Sequence, residues 1–177
     1  MFRVLLAMSA IIILATPVSA NAEMSIAVVD VQKLMGDSDA AKSIEKQVTA
    51  KREKFVSELS KKEKGLRETE KKLAGERSKL SKEDFTKKAQ EFEKSLMSTR
   101  EMAQKTKKQY DDATGKALSQ LRDKAVEVVS AIAKEKGYQL VLSKQGVVVS
   151  AQGIDITDEA MANLNKAVSN ITVDFGK

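Results

Sequence analysis

The chain of 177 residues contains no cysteine, no histidine and no tryptophan, and its one proline is Pro17. Each absence excludes a class. Without cysteine there is no disulfide framework and no thiol nucleophile. Without histidine there is no Ser–His pair, and without both there is no zinc finger. Five Phe and two Tyr are too few for a large aromatic-centred core. Past Pro17 every residue keeps its backbone donor, and a chain rich in Lys, Glu, Ala, Leu and Ser suits long helices.

What is present begins with an export leader. Arg3 gives a short basic start, Val4 to Ala15 is apolar, and Pro17 breaks the run. That run is too short to span a bilayer comfortably. Val18-Ser19-Ala20 and Ala20-Asn21-Ala22 both place small residues where a signal peptidase cuts, and cleavage after Ala22 is preferred. Residues 1–22 are therefore expected to be a signal peptide. With no cysteine to lipidate and no later run of about 18 apolar residues, the mature chain is expected to be a soluble exported protein.

Charge divides the mature chain into two parts. From Lys42 to Lys124 there are 24 Lys and Arg against 15 Asp and Glu, whereas 23–41 and 125–177 together hold 6 against 10. The middle is thus +9 and the flanks −4. The flanks read as one discontinuous α/β body and 42–124 as a helical arm. In the body, Ser25 to Val31 is β-branched and reads as a buried strand. Gly137 after Lys134-Glu135-Lys136 reads as a helix stop. Tyr138–Ser143 and Val147–Ala151 read as two further strands, joined by Lys144-Gln145-Gly146 into a hairpin. Thr157 is expected to cap a last helix near 158–169, with Asp158 and Glu159 in its first turn.

The arm reads as two long helices. Positions 85, 89, 92, 96, 99, 103, 106, 110, 113 and 117 are Phe, Ala, Phe, Leu, Thr, Ala, Thr, Tyr, Ala and Ala, the 4-3 spacing of a coiled-coil seam. Leu121, Ala125, Val128 and Ile132 continue it, and Ile44, Val48, Phe55, Leu59, Leu66, Leu73 and Leu80 form the facing stripe. Ser81 with Asp84 three residues on is an acidic variant of the capping box, which puts the tip of an antiparallel hairpin near 80–82. Acid-before-base pairs four apart, such as Glu58–Lys62, Glu68–Lys72 and Glu101–Lys105, are expected to support the exposed faces, while Gly65, Gly75 and Gly115 weaken them. The predicted fold is mainly α, a long helical hairpin projecting from a small β-rich oligomerisation body. A body of about 70 residues has a marginal core and leaves sheet edges, so self-association is expected through Val28, Val29, Leu140, Leu142, Val147 and Val148.

No bond-making site is visible, so no enzyme activity, cofactor or metal is expected. Asp30 reads as structural or solvated. Asp37, Asp39, Asp155, Asp158 and Glu159 read as helix-entry residues rather than a metal cage. Gly115-Lys116 is an isolated pair, not a phosphate loop, and Asn170-Ile-Thr172 is a glycosylation tripeptide of the kind that occurs by chance. Binding is the better class. Lys61, Lys62, Lys71, Lys72, Lys87, Lys88, Lys105, Lys107 and Lys108 crowd the arm, with Met97, Met102, Phe55 and Val56 as candidate apolar contacts. Such a surface attracts acidic unfolded chains or anionic headgroups, those of lipid or lipopolysaccharide.

The ordered set of Ile26-Ala-Val-Val-Asp-Val31, a Lys/Glu-rich hairpin, Gly137-Tyr-Gln-Leu-Val-Leu142, Gly146-Val-Val-Val149 and Asp155-Ile-Thr-Asp-Glu159 behind a leader resembles the Skp/OmpH-like periplasmic chaperones over 24–170. The resemblance implies a homotrimer with three helical tentacles around a cavity, and an ATP-independent holdase for unfolded outer-membrane proteins. Two other readings stay open: a periplasmic coiled-coil adaptor docking one partner at its tip, and a basic nucleic-acid-binding protein. The leader, the missing groove-reading motif and the lack of stacking aromatics in the arm speak against nucleic acid.

Overall fold

A computed structural model describes residues 24–176. The expected leader lies outside the described residues. The elements run β1 (Ile26–Val29), α1 (Val31–Asp37), α2 (Asp39–Glu76), α3 (Lys82–Lys136), β2 (Leu140–Ser143) and α4 (Thr157–Ala167), with short 3-10 turns at Lys144–Gly146 and Gln152–Ile154. At 1.5 Å per residue, α2 and α3 are about 57 and 82 Å long.

Local chemistry explains the boundaries. Asp30 accepts the Lys33 N–H and starts α1, and Ser38 accepts the Ala41 N–H and starts α2. Asp37 is therefore a helix's last residue, not an entry residue. At the tip, Ser81 Oγ accepts the Asp84 N–H at 3.0 Å and donates to the Asp84 carboxylate at 2.7 Å. That is the expected cap, with the acid returning to the hydroxyl. Gly137 ends α3 in the left-handed region at φ 71°, a conformation a Cβ disfavours, and Lys134 and Lys136 face the helix's negative end.

The seam is where its spacing put it. Phe85, Ala89, Phe92, Leu96, Thr99, Ala103, Thr106 and Tyr110 are each half-buried, and Ala113, Ala117, Leu121, Ala125 and Ile132 are fully buried. On α2 the burial deepens likewise towards Ile44, Ala41 and Ala40. The core thus sits at the root of the hairpin. Leu34 of α1, Ala160 and Leu164 of α4, Ile156, and Ala27 and Val29 of β1 close around it.

Three local expectations are corrected. First, there is no β-hairpin over 138–151. β2 pairs in parallel with β1, Ile26 opposite Leu140 through Val29 opposite Ser143. After Ser143 the chain turns out of the sheet, and the other edge of β1 meets Asp155 through Val28. Val147–Ala151 has no strand partner among the described residues, and Val148 is 99% exposed. Second, Thr157 is the first residue of α4 rather than its cap. Its hydroxyl accepts the Asp30 N–H instead and donates to Asp155. Third, none of the acid-before-base pairs forms an ion pair among the described residues. The arm's ion pairs are Lys107–Asp111, Lys108–Asp112 and the cross-hairpin Lys88–Glu76, with Lys124–Glu127 nearer the body.

Candidate binding surface

The distal arm is held by a thin seam, and that thinness makes a groove. Beyond Leu59, α2 offers one apolar residue per heptad, Leu66 then Leu73, and the other seam positions are the polar Lys62, Thr69 and Glu76. α3 answers with Phe92 and Thr99. The helices leave an open cleft of about 550 Å³ lined by Leu66, Leu73, Phe92, Thr69, Lys62 and Lys72. On the other side of the α3 seam, Phe85, Ala89 and Met97 line a second depression.

The nine expected lysines divide by structure. Lys88 crosses the hairpin to Glu76, and the ammonium it presents lowers the Glu76 carboxyl below its ordinary range. Lys107 and Lys108 each bind the aspartate one turn on, and those hydrogen bonds raise both ammonium pKa values. These three are tied down. Lys61, Lys62, Lys71, Lys72, Lys87 and Lys105 make no ion pair among the described residues, and all six are exposed. Lys62 and Lys72 alone of the six edge the apolar cleft. Met97 is 57% exposed, Met102 is half-buried beside the seam, Phe55 lies in the seam and Val56 is exposed. The arm therefore presents unpaired cations around small apolar openings.

In the body, Val28 and Val29 are both buried within the chain itself, Val29 in the core with Leu34, Leu121 and Leu164 and Val28 on the opposite face of the strand. Leu140 and Leu142 are exposed on β2, Val147 is half-buried and Val148 is exposed. The outward apolar side chains of the body thus include those of β2 and the segment after it, besides Met24 and Val126. Among the described residues, no three acidic side chains gather as a metal cage, and no helix is long and apolar enough to cross a membrane.

One participant lies outside the expected sites. The chain after α4 lies against the arm root, with Ile171 and Val173 buried. Ile171, Val173 and Phe175 alternate with Thr172 and Asp174, a period-2 signal that marks an extended segment covering apolar surface.

Comparison with known proteins agrees with this arrangement. A Skp-like protein of Pseudomonas aeruginosa is 28% identical over 154 residues, spanning 87% of this chain and 91% of its own. A solved structure from Caulobacter crescentus, described as a proposed OmpH-like outer membrane chaperone, superposes with a TM-score of 0.79. It covers 86% of this chain and 90% of that one, at 17% identity, and so shares the fold. The family model described as outer membrane protein (OmpH-like) matches residues 25–164. The chain belongs to the OmpH-like outer membrane protein family.

Proposed function

We propose that this protein is a periplasmic holdase that encloses unfolded outer-membrane proteins between basic helical arms, without ATP and without chemistry. The observation that carries the reading is the distal arm, where six lysines without ion pairs share the surface with shallow apolar openings at Leu66, Leu73, Phe92 and Met97, Lys62 and Lys72 edging the first of them. Long-range attraction speeds capture, and many weak contacts leave the client mobile enough to leave again. Release is a matter of linkage: a client that folds or enters a membrane no longer binds, which drains the bound state. The same cations would take anionic lipid or lipopolysaccharide headgroups.

The arm of one chain encloses nothing by itself, so the reading requires an oligomer, and a homotrimer joined through the body fits it. The exposed Leu140, Leu142 and Val148 and the unpaired side of β2 form the surface for that contact. Leu142→Lys and Val148→Lys should each reduce the native mass to that of one chain while arm helicity persists. An unchanged mass in both folded variants would remove this interface. Val28 is unsuited to the test, because a charge at this buried position would damage the body itself.

The functional test is suppression of aggregation. Several unfolded β-barrel proteins diluted from urea should stay soluble with the protein present and no nucleotide added. Activity towards none of them, together with stoichiometric capture of one folded partner, would favour the adaptor reading instead.

A further inference from the structure

Residues 168–176 leave α4 at Val168, extended at φ −152°, and return along the root of the arm. Their inward side chains join the core, Ile171 at 7% exposure and Val173 at 6%. Gln47 of α2 acts as a strand partner for this segment. Its Nε2 donates to the Ile171 carbonyl at 2.8 Å, and its Oε1 accepts the Val173 N–H at 3.0 Å. One turn earlier on α2, the Ser43 hydroxyl bonds Asn170. One turn later, Lys51 Nζ stands 5.4 Å from the centre of the Phe175 ring. That ring stacks on Tyr110 of α3, 6.0 Å between centroids and 25° between planes. The segment therefore grips three successive turns of α2 and reaches α3.

Its position matters because of where the core stops. Distal to Ile44 on α2 and to Ala113 on α3 no arm residue is fully buried. The segment continues the grip from Ile44 to Lys51 and from Ala113 to Tyr110, about 10 Å further along α2. The stretch of α3 that it braces ends beside Gly115, a poor helix former. We propose that residues 170–176 are a strap that sets the point from which the arms bend, and so how far they open. A long helix pair with a half-buried seam bends most easily where outside support ends. The strap moves that point outward from Ile44 and Ala113 to Lys51 and Tyr110.

The test uses the free protein, so it stands or falls apart from the client reading. Gln47→Ala and Phe175→Ala each remove one grip without removing the core residues Ile171 and Val173. Hydrogen exchange should quicken about tenfold or more over 48–55 and 106–112, and stay unchanged over 121–132 and 157–164. Because the chain lacks cysteine, Ser60→Cys and Ser130→Cys can carry two spin labels, with labelled chains diluted into unlabelled ones. The dipolar distance distribution between arm and body should broaden in both variants. Exchange and distances unchanged in both would overturn the strap. So would exchange quickened equally throughout the body, since the segment would then be ordinary core.

Discussion

Asp155 ties together separate parts of the body. Its Oδ2 accepts from Lys144 Nζ at 2.7 Å, and its Oδ1 accepts from the Thr157 N–H at 2.9 Å and from the Thr157 hydroxyl. That hydroxyl takes the Asp30 N–H, and the Asp30 carboxylate in turn accepts from Lys33 N–H and Gln145. The end of β1, the start of α4 and the turn after β2 are thereby one hydrogen-bonded node. The Lys144 ammonium and the two Thr157 donors hold the Asp155 carboxyl down at about 2. The folded value lies below the ordinary 3.8, so its stabilisation is present above about pH 4 and is lost as pH falls towards 2. Asp155→Asn should cost about 1 kcal/mol at neutral pH, the half-exposed Lys144 being screened by water. Urea midpoints measured between pH 7 and pH 2 should show wild type and variant converging below pH 4. A constant gap across that range would mean the carboxylate's charge is immaterial.

Among the elements, the tip depends on one hydroxyl. Ser81→Ala removes the cap of α3 at a cost of about 1 kcal/mol. Because the tip is remote from the core, the loss should appear as faster hydrogen exchange over 82–88 with body exchange unchanged. Slowed or equal exchange there would show the cap to be redundant with the Lys88–Glu76 pair. The tip, the seam and the Gly137 stop are legible in the sequence because each is local. A cap needs residues three apart and a seam needs period 3.5, and both can be read in a short window. The sheet is not legible in that way. Val147-Val-Val-Ser-Ala has strand composition, yet composition says only that a segment suits a pleated surface, not that a partner exists. The partner of β2 lies 114 residues upstream, and the other edge of β1 goes to Asp155. The lysines are legible as a crowd, but their pairing is not, since rotamers decide whether Lys107 turns to Asp111 or Glu101 to Lys105. The Ile171-Val173-Phe175 alternation is short and comes after the last helix without a turn signal, so nothing local sets it apart from a loose tail.

For the whole molecule, the decisive quantity is the separation of +9 over residues 42–124 from −4 over 23–41 and 125–177. At 0.1 M salt an exposed charge acts over about 10 Å, so the capture proposed for these arms should be tunable by ionic strength in a way that apolar contact is not. Reversing Lys61, Lys62, Lys87 and Lys88 to Glu should slow association with an unfolded β-barrel protein about tenfold or more at low salt, with the gap closing at high salt. Replacing Met97 and Met102 by Ser should leave association alone and shorten the lifetime of the complex. Stopped-flow mixing separates the two. A capture rate indifferent to both salt and the four reversals would return the lysines to the role of solvated helix surface.

The parallel pairing of β1 with β2 has a kinetic meaning as well. The first strand of the chain to emerge must wait for the last quarter of the chain before it can pair, and meanwhile Ala27, Val28 and Val29 stay uncovered. Closing a loop of this length from a random coil is entropically costly, and non-local pairings fold slowly. The hairpin changes the problem. Once α2 and α3 zip from the tip, the two strands are delivered to the same place, and the remaining search is short. Assembly of the body is then gated by arms that lie tens of ångströms away from most of it. Ser81→Ala, which touches nothing in the body, should therefore slow its refolding while leaving its unfolding rate nearly unchanged.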